Sequence, residues 1–137
     1  MSPDRTRNVS GFMAAFRAAT QETYDPSWRV YEGEVEISLA SPETSTVPLE
    51  PHEVYLSSIE ACHPGEGHGS LALDWLTTLA EDYEVAILLE PEPFKRGKGL
   101  MGEDELIDWY QRHGFQQTEF RLMVYVPDAL KGLYSPP

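Results

Sequence analysis

Cysteine is almost missing from this chain. Cys62 is the single one among 137 residues, so no internal disulfide can form, and the usage fits a reducing compartment. Cations are scarce as well. Ten Lys and Arg stand against 23 Asp and Glu, a formal net charge of −13. A sequence-independent nucleic-acid binder neutralises phosphates with Lys and Arg, so direct nucleic-acid binding is not expected. Attraction to an anionic membrane face is not expected either. From Val30 to Phe94 there is no Lys or Arg, whereas that stretch holds fourteen Asp and Glu. Long apolar runs are also missing. The longest aliphatic run is the five residues Val85 to Leu89, and the opening MSPDRTRNV has no apolar h-region. Neither a signal peptide nor a membrane span is expected, which leaves the expectation of a soluble, cytoplasmic protein.

What is present is enough for a core. Hydrophobic residues make up 41% and aromatics 11%, and the length suits one domain over 1–137 with no internal repeat. Phe12, Met13, Phe16 and Ala19 recur at helical steps, predicting a helix that ends before Asp25-Pro26. Trp28 and Val30, then Val35, Ile37 and Leu39, alternate around Glu32-Gly33 as a hairpin does. Residues 41–50 read as a loop, and a strand runs from about Val54 to Glu60. A helix apolar nearly all round follows from Leu71 to Tyr83, with Ser70 suited to cap it. Val85 to Leu89 reads as a central strand covered on both faces. A further helix covers about 103–113, with Glu103, Asp104 and Glu105 in its first turn and Gly114 just past its end. A last strand runs from about Phe120 to Val126, and 128–137 reads as a peripheral tail. The order predicts a mixed α/β domain with helices packed on one sheet.

The chemistry is expected where a strand runs into glycines that open a helix. Gly65, Gly67 and Gly69 let the chain turn tightly and bring N–H groups towards a ligand. The free amides of the next helix point the same way, so an anion could be held without a lysine. A plain tight turn between strand and helix is the alternative. Neither the Walker pattern nor the dinucleotide fingerprint fits. The second glycine-rich stretch, Arg96 to Gly102, leaves too little chain after Gly114 to complete the domain, and is set aside.

Two landmarks carry a resemblance. Pro64-Gly-Glu-Gly67-His-Gly69 resembles the Arg/Gln-x-x-Gly-x-Gly/Ala pyrophosphate loop of the GNAT superfamily of N-acetyltransferases, with Pro64 in place of the leading Arg or Gln. Asp108-Trp-Tyr110-Gln-Arg-His-Gly114-Phe115 resembles that family's tyrosine helix ending in Gly-Phe. The resemblance covers about Val54 to Val126, and the residues before it match only as a shortened N-terminal half. It implies a single domain with an acyl-CoA N-acyltransferase-like mixed central sheet and helices on both faces. The glycine loop and cofactor helix would span about 60–82. It also implies acetyl-CoA or another acyl-CoA as co-substrate, with no metal. The acceptor would be an amine of a small molecule or peptide, and an acidic surface suits a cationic one.

The site residues follow from that implication. Ala61, Cys62, Gly65, Glu66, Gly67, His68, Gly69 and Ser70 would line the cofactor, with His63 beside it. Tyr110 would protonate the departing thiolate; its alternative is a core aromatic four residues after Leu106. Glu60 and Glu90 end successive strands and are the candidate bases, because parallel strands ending side by side would bring both near the thioester. Trp109 reads as structural, and Cys62 as a small strand-end residue rather than a nucleophile. The histidines lack a zinc-ligand spacing. Lys95, Arg96 and Lys98 either flank the cofactor or only close their loop. Two other classes stay open: a GNAT-like binding or protein-interaction module without turnover, and an acidic decoy of a nucleic-acid-binding protein. Monomer and homodimer are equally compatible.

Overall fold

Val9, Phe12, Met13 and Phe16 repeat at three- and four-residue steps, which places them on one helix face. All four are buried along α1 (Arg5–Ala18) in the computed structural model, which describes residues 5–25, 28–62, 66–91, 102–118 and 121–134. The helix ends well before Asp25. Arg29 stops it: its guanidinium donates to the Arg17 carbonyl at 3.1 Å and the Thr20 carbonyl at 2.9 Å. A cation there also suits the negative end of the helix dipole.

Thr20–Glu22 forms an unforeseen edge strand, β1, beside β2 (Arg29–Tyr31). The predicted hairpin joins β2 to β3 (Val35–Ala40), with Tyr31 opposite Val35. Glu32 and Gly33 both have positive φ, at 51° and 72°, and are the central pair of a tight turn that the Glu34 N–H closes on the Tyr31 carbonyl at 3.0 Å. β4 (Glu53–Ala61) pairs antiparallel with β3, and Ser57 is left over between the pairs Ser38–Ser58 and Leu39–Leu56. That bulge explains an apolar step of three: Leu56 and Ile59 both reach the same core because Ser57 shifts the alternation.

α2 (His68–Tyr83) crosses to β5 (Ala86–Leu89), which lies parallel to β4. α3 (Glu103–Arg112) follows, then the short strands β6 (Gln116–Gln117) and β7 (Met123–Tyr125). The seven strands run in the order β1-β2-β3-β4-β5-β7-β6, antiparallel except for β4 and β5. The domain is therefore mixed α/β. No helix among the described residues is long and apolar enough to cross a membrane.

β5 is covered on both faces, as its unbroken apolar run predicts. Ile87 and Leu89 join the large core of α1, α2 and α3, with Phe12, Leu73, Leu76, Leu106 and Phe115. Ala86 faces the other way, onto Val124 and Leu130. Each fully buried Leu or Ile here contributes about 1.5–3 kcal/mol over its exposed state. The helices are shared out unevenly between the two faces. The three long ones feed one core, and residues 128–134, including α4 (Lys131–Tyr134), cover part of the other.

Three expectations need correction. α2 starts at His68 with Gly67 as its cap, so Ser70 lies inside the helix and caps nothing. α2 is buried on most sides, as its apolar residues predict, with Leu71 left exposed. The tail is not peripheral up to Tyr134: Leu130 is buried, and the Tyr134 hydroxyl donates to Glu53 Oε2 at 2.5 Å. The last strand is also shorter than expected, and residues 119–120 and 135–137 fall outside the described chain.

Gly114 ends α3 with φ 94°, and a Cβ there would come within 3.0 Å of the Tyr125 ring. Gly114→Ala is expected to destabilise the domain by at least about 1–2 kcal/mol through backbone strain alone. Chemical denaturation should read this as a lower midpoint at unchanged slope.

Candidate functional site

β4 and β5 pair over only three residues, Glu53–Tyr55 with Ala86–Leu88. Past Tyr55, β4 continues for six residues to Ala61 while β5 ends at Leu89 beside β7. The Ser57 bulge lies just beyond the last pair, and bulges bend and twist the strand that carries them. The two strands part there. Residues 56–61 have no strand partner on the β5 side among the described residues.

α2 begins beside the end of β4. Gly67 caps it in the left-handed conformation, φ 80° and ψ 3°, with no side-chain hydrogen bond to the cap. The first bond of the helix runs from the Leu71 N–H to the Gly67 carbonyl at 3.1 Å, so the N–H groups of His68, Gly69 and Ser70 lie ahead of it. A Cβ on Gly67 would meet nothing within 4 Å among the described residues. Oriented amides, a dipole end and space are what an anionic group such as a pyrophosphate needs. The main chain of residues 67–70 could hold such a group.

The surrounding side chains are acidic. His68 Nδ1 lies 3.5 Å from Glu34 Oε2 and 3.9 Å from Glu66 Oε2. The Cys62 N–H donates to the Glu34 carbonyl at 2.7 Å, which brings the end of β4 against the β2–β3 turn. Glu36 and Glu60 face each other across β3 and β4. Desolvation, then the charges of Glu36, Glu34 and Glu60, push the Cys62 thiol up, which suits an unreactive thiol. Among the described residues no cluster of His, Cys, Asp and Glu could hold a metal ion.

Ala61, Cys62, Glu66, Gly67, His68, Gly69 and Ser70 thus gather at the head of α2. His63, Pro64, Gly65 and the basic trio Lys95, Arg96 and Lys98 lie outside the described residues. Ser70 is engaged, its Oγ accepting the Trp109 indole N–H at 2.9 Å. Glu60 and Glu90 do not end side by side. Counted from the paired Tyr55 and Leu88, Glu60 lies three residues further along its strand than Glu90, about 10 Å. Glu60 is next to the core residue Ile59, so it belongs to the opposite sheet face.

Tyr110 sits in the core. Only 6% of it is exposed, and its ring packs on Phe115 at 5.5 Å and Trp109 at 4.9 Å. No described residue hydrogen-bonds its hydroxyl, and burial raises the phenol above its usual range. It is a phenol at any physiological pH.

Reading the sequence missed how α2 and α3 are joined. Besides Trp109 and Ser70, His113 Nδ1 donates to Asp74 Oδ1 at 2.7 Å. The signal was available as two pairs of polar-capable residues spaced four apart, 70 with 74 and 109 with 113. A cavity of about 320 Å³ lies elsewhere, between α1 and the 41–51 loop, lined by Val9, Met13, Arg17, Glu43 and Leu49. None of the expected site residues borders it.

No protein-family model and no curated protein sequence matches the chain. Among solved structures, the crystal structure of the anti-CRISPR protein AcrVA5 superposes with a TM-score of 0.46 at 17% identity, over 78% of this chain and 98% of that one. A likeness at that level carries neither fold nor function across.

The raised Cys62 thiol sets a pH expectation. Thiolate is the reactive form, so alkylation by iodoacetamide at pH 8 should be slower than that of a free cysteine peptide and should climb only as pH rises. Glu36→Gln removes the largest of the three charge effects and should speed alkylation at pH 8. An unchanged rate in that variant would mean that charge is not what holds the proton.

Proposed function

We propose that this chain is an acyl-CoA-dependent N-acyltransferase of GNAT-like arrangement, which moves an acetyl group from acetyl-CoA to a primary amine. One observation carries the reading. A glycine-opened helix with uncapped amides stands beside two parallel strands that part where chemistry can be housed. The two sequence landmarks, Gly67-His-Gly69 and Tyr110 to Phe115, sit on the elements that frame this gap.

Bound acetyl-CoA supplies a thioester whose carbonyl carbon takes the amine nitrogen while the C–S bond breaks. The N–H groups of His68, Gly69 and Ser70 bind the pyrophosphate and fix its position along α2. The main chain of residues 56–59, which pairs with no strand on the β5 side among the described residues, is a source of donors for the carbonyl oxygen as it gains charge. Glu60 or Glu90 takes the proton of the attacking amine, directly or through one water. Tyr110 holds a proton for the sulfur. Glu60 and Tyr110 belong to opposite faces of the sheet, so in this reading the amine enters from one face and the thiol leaves from the other. The carboxylates around Cys62 favour a cationic acceptor by steering.

Acetyl-CoA is expected to raise the melting temperature, with stabilisation of about 2.7 kcal/mol at a hundredfold excess over Kd. Gly67→Asp should abolish the shift. Asp is tolerated at positive φ, so the fold should survive while a carboxylate occupies the phosphate position. Absence of any shift with acetyl-CoA and with longer acyl-CoAs would remove the enzyme reading.

The burial of Tyr110 favours a second reading, a binding module without turnover in which this ring is only core. Tyr110→Phe separates the two. The acyltransferase reading expects kcat to fall by about 10²–10⁴-fold with the KM for acetyl-CoA nearly unchanged. It also fixes the alkaline limb. A donor must be protonated, and burial raises this phenol, so activity owed to Tyr110 should persist to pH values above about 10. Full activity in Tyr110→Phe would strike the tyrosine from the mechanism.

A further inference from the structure

Two hydrogen bonds form a ladder between α2 and α3. Trp109 Nε1 donates to Ser70 Oγ at 2.9 Å, and His113 Nδ1 donates to Asp74 Oδ1 at 2.7 Å. Ser70 and Asp74 are four residues apart on one helix, and Trp109 and His113 are four apart on the other and its cap. Both rungs therefore lie on facing stripes, one turn from each other. The Trp109 and His113 rings also meet edge to face at 5.4 Å. One hydrogen bond would let the helices slide or swivel. Two rungs a turn apart fix axial register, because a slip of one turn, about 5.4 Å, breaks both.

The ladder stands where position matters. The Trp109 ring lies 3.7 Å from the point a Cβ on Gly69 would occupy, so it rests on the first turn of α2. Tyr110 is the next residue and packs against that ring. The place of Tyr110 relative to the head of α2 is therefore set through Trp109. Burial alone does not account for the pairing, since Asp74 is 65% exposed and a hydrogen bond at the surface adds little stability.

We propose that Trp109 and His113 are positioning residues, which hold the tyrosine helix in register with the head of α2 and transmit occupancy of that turn to α3. The inference rests on the acyl-CoA reading above. It assigns a task to two side chains that packing alone would leave without one.

Hydrogen exchange with coenzyme A, which carries no acyl group, tests this without turnover. In the wild type, ligand should slow exchange both at 68–71 and along α3, 106–112. Trp109→Phe keeps a ring and removes the N–H. There, protection at 68–71 should remain, coenzyme A affinity should stay within about threefold, and the α3 response should vanish. Acetyl transfer should fall by about tenfold or more in kcat, with the KM for acetyl-CoA unchanged, as expected for a displaced proton donor. Ser70→Ala should reproduce the loss of the α3 response, and the double variant should lose no more kcat than either single one, since both remove the same bond. His113→Gln should weaken the response in the same direction.

Each outcome decides. Protection at α2 with no α3 response in the wild type leaves the acyl-CoA reading standing and overturns the positioning role. A Trp109→Phe protein that only melts lower, with the α3 response and kcat intact, overturns it too. No protection anywhere with coenzyme A overturns the acyl-CoA reading, and the positioning role falls with it.

Discussion

Three residues of parallel pairing join two antiparallel halves of one sheet. On one side lie β1 to β4, and on the other β5, β7 and β6; among the described residues the strand pairing that connects them is Glu53–Tyr55 against Ala86–Leu88. Everything else about the candidate site depends on how short that seam is. Had β4 and β5 stayed paired to their ends, main-chain groups would fill the space proposed for the thioester. The Ser57 bulge turns β4 away just past the seam, so the opening is built into the register.

A seam so short needs reinforcement, and α2 supplies it from above. Trp75 stacks on Tyr31 at 4.3 Å, reaching the first half, while Leu73 and Leu76 fill the core over the middle of the sheet. At its far end Glu81 accepts from the Tyr125 hydroxyl at 2.6 Å and from the Asp128 N–H at 3.0 Å, reaching the second half. The same helix that opens the candidate site therefore also bridges the two halves of the sheet. Its amides can be left for a ligand because its stability comes from packing and not from its cap.

Charge and site are in tension here. Glu34, Glu60 and Glu66 stand around a turn proposed to hold a polyanion. Local donors dominate at contact distance, because screening limits longer-range fields to about 8 Å at physiological salt. In the proposed reaction the carboxylates would act on the other substrate, an amine that arrives as a cation and must lose one proton before it attacks. That arrangement assigns opposite tasks to main chain and side chains at one place.

The sequence by itself determined the class of the domain and most of its elements. Helical steps from Phe12 to Phe16, alternation around Glu32-Gly33, the unbroken run at Val85 to Leu89 and the stop at Gly114 are local signals, each set by sterics or burial of neighbouring residues. The glycines of the β4–α2 turn were readable for the same reason. Tertiary structure alone decided the rest. β1 and β6, three and two residues long, exist only because a partner strand lies beside them, and the buried Leu130 owes its place to Val124 and to Ala86, which lies far away in the chain. Ser70 suits a cap by type, yet the helix begins two residues earlier and its hydroxyl meets Trp109, a partner 39 residues on. Glu60 lies near the end of β4 and Glu90 just past the end of β5, but their offset follows from register, which no single strand encodes. Local chemistry chooses the elements; which groups face one another depends on contacts between segments whose separation in sequence carries no such information.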